Sequence, residues 1–380
     1  MKPVTKNKVC VYAISKNEEK FVDKWYESMK EADYVCVLDT GSTDNTANRL
    51  KELGAIVETK IIDPWRFDIA RNESLKLVPD DSTVLICTDL DEWLEPGWAE
   101  PLREKWIPGY HLRGYYKYSW SHLENGESGR IFKYDKIHSN HEWRWIYPVH
   151  EALDLITNDK EHATEYDRER TIDLWDDIHL HHYPDKTKSR GQYLSLLEQR
   201  KEEYPEDWRG LIYLAHEYFY QKQYNNSIEL LNYLLANYKD RYTNLEQASC
   251  HLYIADAYAC LNDADNAIKN YLLAIDLDKT YREPYLNLAK VLLTNKAFIT
   301  AEFYLKNALV NTYRHYTWLE RDISWNYELY DLLCLASYYS GNKKDAIAYA
   351  SKALSFMPDN KRLQNNLKLC LDSTSDKELV

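Results

Sequence analysis

The feature that most constrains the fold is a change of periodicity along the chain. Residues 9–15, 34–39 and 83–89 are apolar, β-rich runs, and residues 17–32 and 65–78 between them carry apolar side chains at helical spacing. This alternation predicts a mostly parallel sheet with helices on both faces. Ligands bind beyond the carboxyl ends of such strands, so the residues that follow these runs are the candidates for a site.

The segment that follows is rich in aromatic residues and histidine. Four stretches between residues 109 and 183 have the pattern of strands, and we expect them to be antiparallel. Nine of the twelve histidines lie between His111 and His182. Many of them are expected to be surface or hydrogen-bonded structural residues, but their clustering in one region indicates that one or two have a function.

From about residue 190 the chain is helical to its end. Four segments align as helix–turn–helix pairs, with a small residue at an equivalent place in each: Ser227, Ala267, Ala301 and Ala346. The two middle residues are 34 apart, and the pairs resemble tetratricopeptide repeats. We expect an α/β domain in residues 1–190, followed by about four helix pairs and a capping helix in residues 191–380. Such arrays present a concave surface to a peptide or partner, or they scaffold or dimerise the attached domain.

Composition excludes several classes of protein. The net charge of −13 over 380 residues argues against a strongly basic nucleic-acid-binding protein. No run of 18 apolar residues occurs, and the first residues lack the apolar core of a signal peptide, so we expect no membrane span and a cytoplasmic location. The seven cysteines are scattered without a CxxC pair, which disfavours a zinc ribbon or a disulfide framework.

Three acids follow the strand at residues 83–89. Asp89 and Asp91 form a D-x-D motif, and Glu92 comes directly after it. Carboxylates this close repel one another, so they need a cation or they belong to a solvated turn. Hard oxygen ligands suit Mn²⁺ or Mg²⁺, although D-x-D alone is common by chance. Glu92 either points to solvent, or it orients a metal ligand without binding the metal itself.

Three further motifs border the same predicted edge. The stretch "YAISKNEE" ends the first strand, "VLDTGSTDNT" places Asp39 at the end of the second, and "RFDIARN" places Asp68 and Arg71 on one helix. Asp39 can accept hydrogen bonds from a base or a ribose, or it caps the turn together with Ser42. Arg71 can hold a phosphate or a base carbonyl, or it forms a surface ion pair.

In this order and at this spacing, the four motifs resemble the family 2 glycosyltransferases with a GT-A fold, over about residues 8–185. The resemblance implies a Rossmann-like mixed sheet. It also implies a nucleotide-sugar donor, most often a UDP-sugar, with Mn²⁺ or Mg²⁺ as the cofactor. Transfer would invert the anomeric carbon.

The resemblance also implies roles for individual residues. Asp39 and Arg71 would contact the uracil, with support from Asp68. Asp89 would contact the ribose or the metal, and Asp91 would be the principal metal ligand. The end of the first strand would border the donor, with three candidate residues: Ala13, Ser15 and Glu18.

The sequence departs from the family at the catalytic base. Many members carry an acidic pair, whereas "YPVHEAL" stands here. An inverting transferase needs one base to take the acceptor proton. Glu151 is the first candidate and His150 the second; alternatively, the pair only orders the acceptor loop.

A histidine beyond the sheet often completes the metal shell in this family. His182 is the matching residue, and His181 is the alternative. His179 and His181 share one face of the predicted strand, and His182 lies on the other. Lys188, in the basic stretch that follows, is a candidate for neutralising the leaving diphosphate, or it belongs to a solvated loop.

The sequence therefore predicts a metal-dependent inverting glycosyltransferase with helical repeats. Its acceptor is expected to be a protein, a peptide or a glycan; nucleic acid fits the net charge less well, and a homo-oligomer through the repeats is compatible with the pattern. The competing hypothesis is a non-catalytic interaction protein derived from a glycosyltransferase, against which the intact acids and Arg71 argue. A nucleotidyltransferase would carry a glycine-rich basic loop where "AISKNEE" stands.

Overall fold

The computed structural model describes residues 7–123, 126–157, 163–185, 187 and 191–372. It divides the chain into two compact units, Met1–Tyr204 and Pro205–Val380. The division follows the helix Tyr193–Glu203, which the sequence had assigned to the repeat region and which the structure places in the first unit.

The first unit is an α/β domain. Within the described residues its strands are, in chain order, β1 (Val9–Ser15), β2 (Tyr34–Asp39), β3 (Ile56–Thr59), β4 (Val84–Thr88), β5 (Glu92–Leu94), β6 (Arg113–Ser119), β7 (Ile131–Ser139), β8 (Trp143–Ile146), β9 (Ala152–Leu155) and β10 (Thr171–His182). Its helices are α1 (Glu19–Met29), α2 (Thr46–Leu53), α3 (Phe67–Leu75), α4 (Ala99–Lys105), α5 (Ala163–Glu169) and α6 (Tyr193–Glu203).

Eight of these strands form one mixed sheet, as predicted, in the order β3-β2-β1-β4-β7-β6-β10-β5, and β8 pairs with β9 separately. β1, β2, β3 and β4 are parallel neighbours, whereas β7 runs antiparallel to both β4 and β6. The expectation of antiparallel strands in the aromatic segment holds for β7 with β6 and for β10 with β5, but it was wrong for the pairing of β10 with β6, which is parallel. Parallel neighbours need a crossover, which β7 to β9 and α5 supply, and strand periodicity carries no information on direction.

Burial explains why the first elements form as the sequence predicted. β1 and β4 are buried along their whole length, as expected for strands covered on both faces. Helix α1 buries Val22, Trp25 and Met29, and the Trp25 indole donates to the Thr88 hydroxyl at 3.1 Å. Helix α2 ends at Gly54, whose φ of +103° is the left-handed conformation that favours glycine.

The parallel strands end at one edge of the sheet. Ser15 at the end of β1 lies opposite Asp39 at the end of β2, and Ala13 lies opposite Thr88, the last residue of β4. The Thr40 amide donates to the Ser15 carbonyl at 2.8 Å. The loops after β1, β2 and β4 therefore meet at this edge, where ligands of such sheets bind.

The second unit is helical. Its α-helices within the described residues are α7 (Trp208–Tyr220), α8 (Tyr224–Asn237), α9 (Asn244–Cys260), α10 (Ala264–Leu277), α11 (Glu283–Thr294), α12 (Phe298–Val310), α13 (Tyr327–Tyr339), α14 (Lys343–Phe356) and α15 (Lys361–Leu371). Consecutive helices pack in four pairs, with α15 against α14. The four small residues that align between the pairs are completely buried, which confirms the predicted tetratricopeptide-like repeats. None of the helices in the described part of the chain has the length and apolar character needed to cross a membrane.

Candidate active site

The acidic turn joins β4 to β5 and is stabilised by hydrogen bonds between its own residues. The Asp89 amide donates to Glu92 Oε2 at 2.9 Å, and the Glu92 amide donates to the Asp89 carbonyl at 3.0 Å. The Tyr118 hydroxyl donates to Glu92 Oε1 at 2.7 Å. Glu92 is 2% exposed, and its burial, with the neighbouring Asp89 charge, raises its pKa. Glu92 therefore turns inward and shapes the turn that presents the other two acids.

Asp89 faces cations of the protein itself. Its Oδ1 lies 2.6 Å from Arg71 Nη2, and its Oδ2 lies 3.9 Å from Lys136 Nζ. Arg71 Nη1 also donates to the Thr88 carbonyl at 3.3 Å. Burial acts to raise the pKa of Asp89, but the charges of Arg71 and Lys136 outweigh it and lower this pKa well below its usual range. Asp89 is therefore ionised and ion-paired.

Arg71 connects two carboxylates. Its side chain is 2% exposed, and its Nε lies 3.0 Å from Glu151 Oε1 while its Nη2 contacts Asp89. Burial acts to raise the pKa of Glu151, but Arg71 and Lys136 outweigh it and lower this pKa. A buried guanidinium with two carboxylates is a fixed structural charge. In this structure Arg71 therefore forms ion pairs with Asp89 and Glu151, and it does not extend into the pocket as a donor for a ligand.

Lys136 is a site residue that the sequence reasoning missed. It lies on β7, is buried, and carries the second positive charge beside Asp89. Burial acts to lower its pKa, but Tyr134 and the nearby acids raise it, so the lysine stays charged. The available signal was its spacing two residues before His138, which places both side chains on one face, but Lys133 and Asp135 in the same strand are charged as well, so Lys136 does not stand out in the sequence.

Asp91 faces a histidine rather than a fixed cation. Its Oδ2 lies 3.5 Å from His182 Nε2, and its carbonyl accepts the Tyr183 amide at 2.8 Å. His182 Nδ1 lies 3.1 Å from the Trp120 carbonyl, which can only accept, so the proton sits on Nδ1. With Nδ1 bound in this way, Nε2 is the nitrogen that faces Asp91, and in the neutral ring its lone pair is available to a metal, the arrangement that metal-binding histidines use. The carboxylate and the imidazole together fit a divalent cation.

The two acids of the D-x-D motif are not gathered around one point. Within the described residues, the ligand atoms of Asp89, Asp91 and His182 do not form a group lying within 4.8 Å of one another. His181, the alternative to His182, points to the other face of β10 and contacts Glu95 at 2.8 Å. The donor set that fits Mn²⁺ or Mg²⁺ at this edge is therefore Asp91 with His182.

Asp39 is bound into the turn after β2. It is 1% exposed and accepts the Gly41 amide at 3.3 Å and the Ser42 amide at 3.1 Å. The Ser42 hydroxyl also donates to it, and the Ser15 hydroxyl lies 3.4 Å away. The turn-capping role that the sequence left open is thus present, at the edge of the sheet where the parallel strands end.

Asp68 and Arg71 share α3 but have different partners. Arg66 binds Asp68 through two hydrogen bonds of 3.0 Å and 2.9 Å, and it also pairs with Glu203 at 2.6 Å. The structure therefore does not bring Asp68 together with Arg71.

The remaining donor-side candidates lie around the end of β1. Ala13 is completely buried within the sheet. The Glu18 amide donates to the Thr46 hydroxyl at 2.8 Å, which joins the start of α1 to the start of α2. Lys188 lies outside the described residues.

The loop that carries Glu151 is fixed by a second buried arginine. Arg200 on α6 is 2% exposed and donates through Nη1 to the carbonyls of Val149 and His150, each at 2.9 Å. Its guanidinium also lies 3.6 Å from the Tyr147 ring centroid. Tyr147 and His150 have φ values of +78° and +50°, which are costly for residues other than glycine. Arg200 therefore holds a strained loop in place, and sequence reasoning missed it because α6 was assigned to the repeats.

Comparison with protein families identifies the first unit. Residues 10–150 match the model described as Glycosyl transferase family 2. This region is a family 2 glycosyltransferase domain. The match spans the D-x-D turn, Asp39 and Arg71, and it ends at His150, just before Glu151. No curated protein matches the chain.

The solved structures that are similar to this chain include two tetratricopeptide repeat proteins. TTC0263, a thermophilic TPR protein in Thermus thermophilus, is 21% identical with a TM-score of 0.35, over 47% of this chain and 88% of its own. The Arabidopsis OM64 TPR domain is 22% identical with a TM-score of 0.30, over 34% of this chain and 98% of its own. With TM-scores this low, the repeat assignment rests on the helix pairs of the second unit themselves.

Proposed function

We propose that the protein is a metal-dependent inverting glycosyltransferase that transfers a sugar from a UDP-sugar to a protein, peptide or glycan acceptor. The observation that carries the proposal is the pair of Asp91 and His182 at the ligand-binding edge of a family 2 sheet, with Nε2 of the imidazole facing the carboxylate at 3.5 Å.

Asp91 and His182 would hold Mn²⁺ or Mg²⁺, which supplies positive charge to a leaving diphosphate. The turn around Asp39 and Ser15 borders the place for the nucleotide, with Glu18 beside it. Lys188 is proposed to add charge at the diphosphate. Asp89 keeps its carboxylate at the same edge and is partly exposed, so it remains accessible to a ribose hydroxyl while it is paired with Arg71.

Glu151 is the proposed catalytic base. The charges of Arg71 and Lys136 keep it ionised at neutral pH, and a base must be unprotonated when the acceptor arrives. Arg71 also holds it in one orientation through the 3.0 Å contact. His150, which is exposed and has its ring 5.9 Å from that of Tyr193, is the second candidate.

The second unit is proposed to bind the acceptor or a second copy of the chain. Helix α12 exposes Ile299, Phe303 and Val310 at 76%, 61% and 78%, an apolar surface unusual for a repeat helix that meets only solvent. A protein or peptide acceptor fits such a surface better than nucleic acid does, given the net charge of −13.

The test is release of UDP from a panel of UDP-sugars, measured with Mn²⁺, with Mg²⁺ and with EDTA. We expect release for at least one sugar, dependence on the metal, and an anomeric configuration opposite to that of the donor in the product by NMR. If no UDP-sugar is turned over and calorimetry detects no nucleotide-sugar binding, the chain is a non-catalytic interaction protein.

A further inference from the structure

A second group of metal-ligating side chains lies at the junction of β5 and β10. Within the described part of the chain, Glu95, His179 and His181 each place a ligand atom within 4.8 Å of the others. Glu95 Oε1 lies 3.0 Å from His179 Nδ1 and 2.8 Å from His181 Nε2. Because side chains alternate along a strand, this group lies on the face of β10 opposite to His182.

Both imidazoles are held by their other ring nitrogen. His179 Nε2 lies 2.7 Å from the Ser119 hydroxyl, and His181 Nδ1 lies 2.9 Å from His122 Nε2. Each histidine therefore directs one nitrogen to Glu95 and uses the second to fix its ring. Metal-binding histidines in proteins are oriented by a hydrogen bond of this kind, and an ordinary surface histidine does not require it.

We propose that Glu95, His179 and His181 bind a divalent transition metal of the Zn²⁺ class, at a site separate from Asp91 and His182. Two imidazoles and one carboxylate form a three-ligand Zn²⁺ set, with a fourth position for water. The nitrogen ligands disfavour Mg²⁺ and Ca²⁺, which prefer oxygen.

The geometry requires only small adjustments. Tetrahedral bonds of about 2.0–2.1 Å place ligand atoms roughly 3.3 Å apart, a little wider than the present contacts of 2.8 Å and 3.0 Å. The two histidine side chains are 17% and 18% exposed, and Glu95 is 56% exposed. The metal can therefore reach the site from solvent, and Glu95 can adjust without disturbing the core.

The position of the site gives it a structural role. β5 has three residues and is held to β10 by pairing of Leu94 with Leu180 and of Glu92 with His182. Glu95 follows β5 directly, so a metal bound to it and to β10 fixes that pairing. The same pairing places Asp91 near His182, and the metal would therefore stabilise the geometry of the first site without taking part in its chemistry.

The experiment uses the full chain with Asp91→Asn and His182→Asn, which silence the first site. Zn²⁺ is added alone, and binding is measured by calorimetry and by metal content after gel filtration. We expect one equivalent of Zn²⁺ in this background and a rise in Tm on its addition. Adding Glu95→Gln removes the equivalent, and adding Ser119→Ala instead weakens binding by roughly 10–100-fold because the His179 ring is less firmly held.

His141→Asn is the matched control, because His141 is exposed and has a φ of +71° that asparagine tolerates; it leaves Zn²⁺ binding unchanged. Glu95 is exposed enough that its glutamine variant folds, which circular dichroism verifies. Equal Zn²⁺ affinity with and without Glu95→Gln overturns the proposal, as does the absence of Zn²⁺ binding in the starting background. Neither result bears on turnover of UDP-sugars by the unmodified chain.

Discussion

The two acids of the D-x-D motif are two residues apart and have different environments. Asp89 is paired with Arg71 at 2.6 Å and lies 3.9 Å from Lys136, whereas Asp91 lies 3.5 Å from His182. The protein therefore neutralises the first carboxylate with its own charges and leaves the second to a group that can share a metal. The repulsion implied by the sequence is relieved at Asp89 by buried cations on α3 and β7, so the proposed metal would be bound through Asp91.

The largest expected effect comes from removing the metal ligand. Asp91→Asn keeps the shape of the side chain and removes its charge, and we expect kcat/KM to fall by about a thousandfold, since bound metals contribute several kcal/mol to charge stabilisation. Steady-state kinetics with the active UDP-sugar measures this, and Tm should be nearly unchanged. Asp23→Asn is the control, because the Asp23 side chain is 70% exposed. Full activity in Asp91→Asn would remove the difference between the two acids.

The second effect is on the free energy of unfolding and concerns the ion pair of Asp89 with Arg71. Arg71→Met leaves Asp89 and Glu151 without their shared buried cation, and we expect a loss of about 3 kcal/mol in the free energy of unfolding. Urea denaturation followed by tryptophan fluorescence measures it.

Arg144→Met is the matched control for Arg71→Met. Arg144 also pairs with an aspartate, Asp154 at 2.8 Å, but its side chain is 57% exposed, so its loss should cost less than about 1 kcal/mol. If the two substitutions cost the same, Arg71 is an ordinary surface pair and Asp89 has no special environment.

A smaller effect is expected from the arginine behind the Glu151 loop. Arg200→Met removes the donor to two carbonyls, and the displaced loop should lower kcat by roughly 10–100-fold, because small misplacements of catalytic groups are costly. KM for the donor should stay unchanged, since Arg200 holds the loop of the proposed base, through the carbonyls of Val149 and His150. Arg200→Lys retains a charge and one donor and should recover part of kcat; a change confined to Tm in both variants would assign Arg200 a purely structural role.

The edge of the sheet was predictable from the sequence because its position depends only on the order of short segments along the chain. β1, β2 and β4 are short apolar runs that end in polar residues, and parallel strands bring such ends together whatever follows. The pairs of repeat helices were predictable for the same reason, since each pair forms from adjacent segments. The motifs around Asp39, Arg71 and Asp91 could therefore be placed in one region without knowledge of the sheet order.

The partners of these residues were not predictable. Lys136 and Arg200 reach the site because β7 inserts beside β4 and α6 belongs to the first unit, and neither arrangement follows from periodicity. The direction of β10 could not be predicted for the same reason, because it depends on the whole crossover between β6 and β10. Charge pairing across such distances in sequence is set by the fold, so Arg71, Asp89 and Glu151 could each be placed at the site while the ion pairs between them could not.

The smallest predicted effect is a pH dependence of metal binding that Asp91 with His182 would show and Asp89 would not. Burial acts to lower the pKa of His182, but the hydrogen bond with Asp91 and the nearby acids outweigh it and raise this pKa above its ordinary 6.5. In the metal-free protein the charged pair therefore adds stability that is fully present below pH 6.5 and is lost as the pH rises through the raised pKa. Metal binding needs the neutral imidazole and has the opposite dependence, weakening by about tenfold for each pH unit below that pKa.

Calorimetric titration with Mn²⁺ between pH 6 and pH 8 measures this dependence. His182→Asn should bind Mn²⁺ more weakly and lose the steep slope, whereas Lys136→Met should retain it, because Lys136 lies beside Asp89. Asp89 cannot produce such a slope in this range, since its pKa is lowered far below it. A Mn²⁺ affinity that is constant with pH would mean that the cation is held by carboxylates alone, and Asp89 would then have to leave Arg71 to provide the second one.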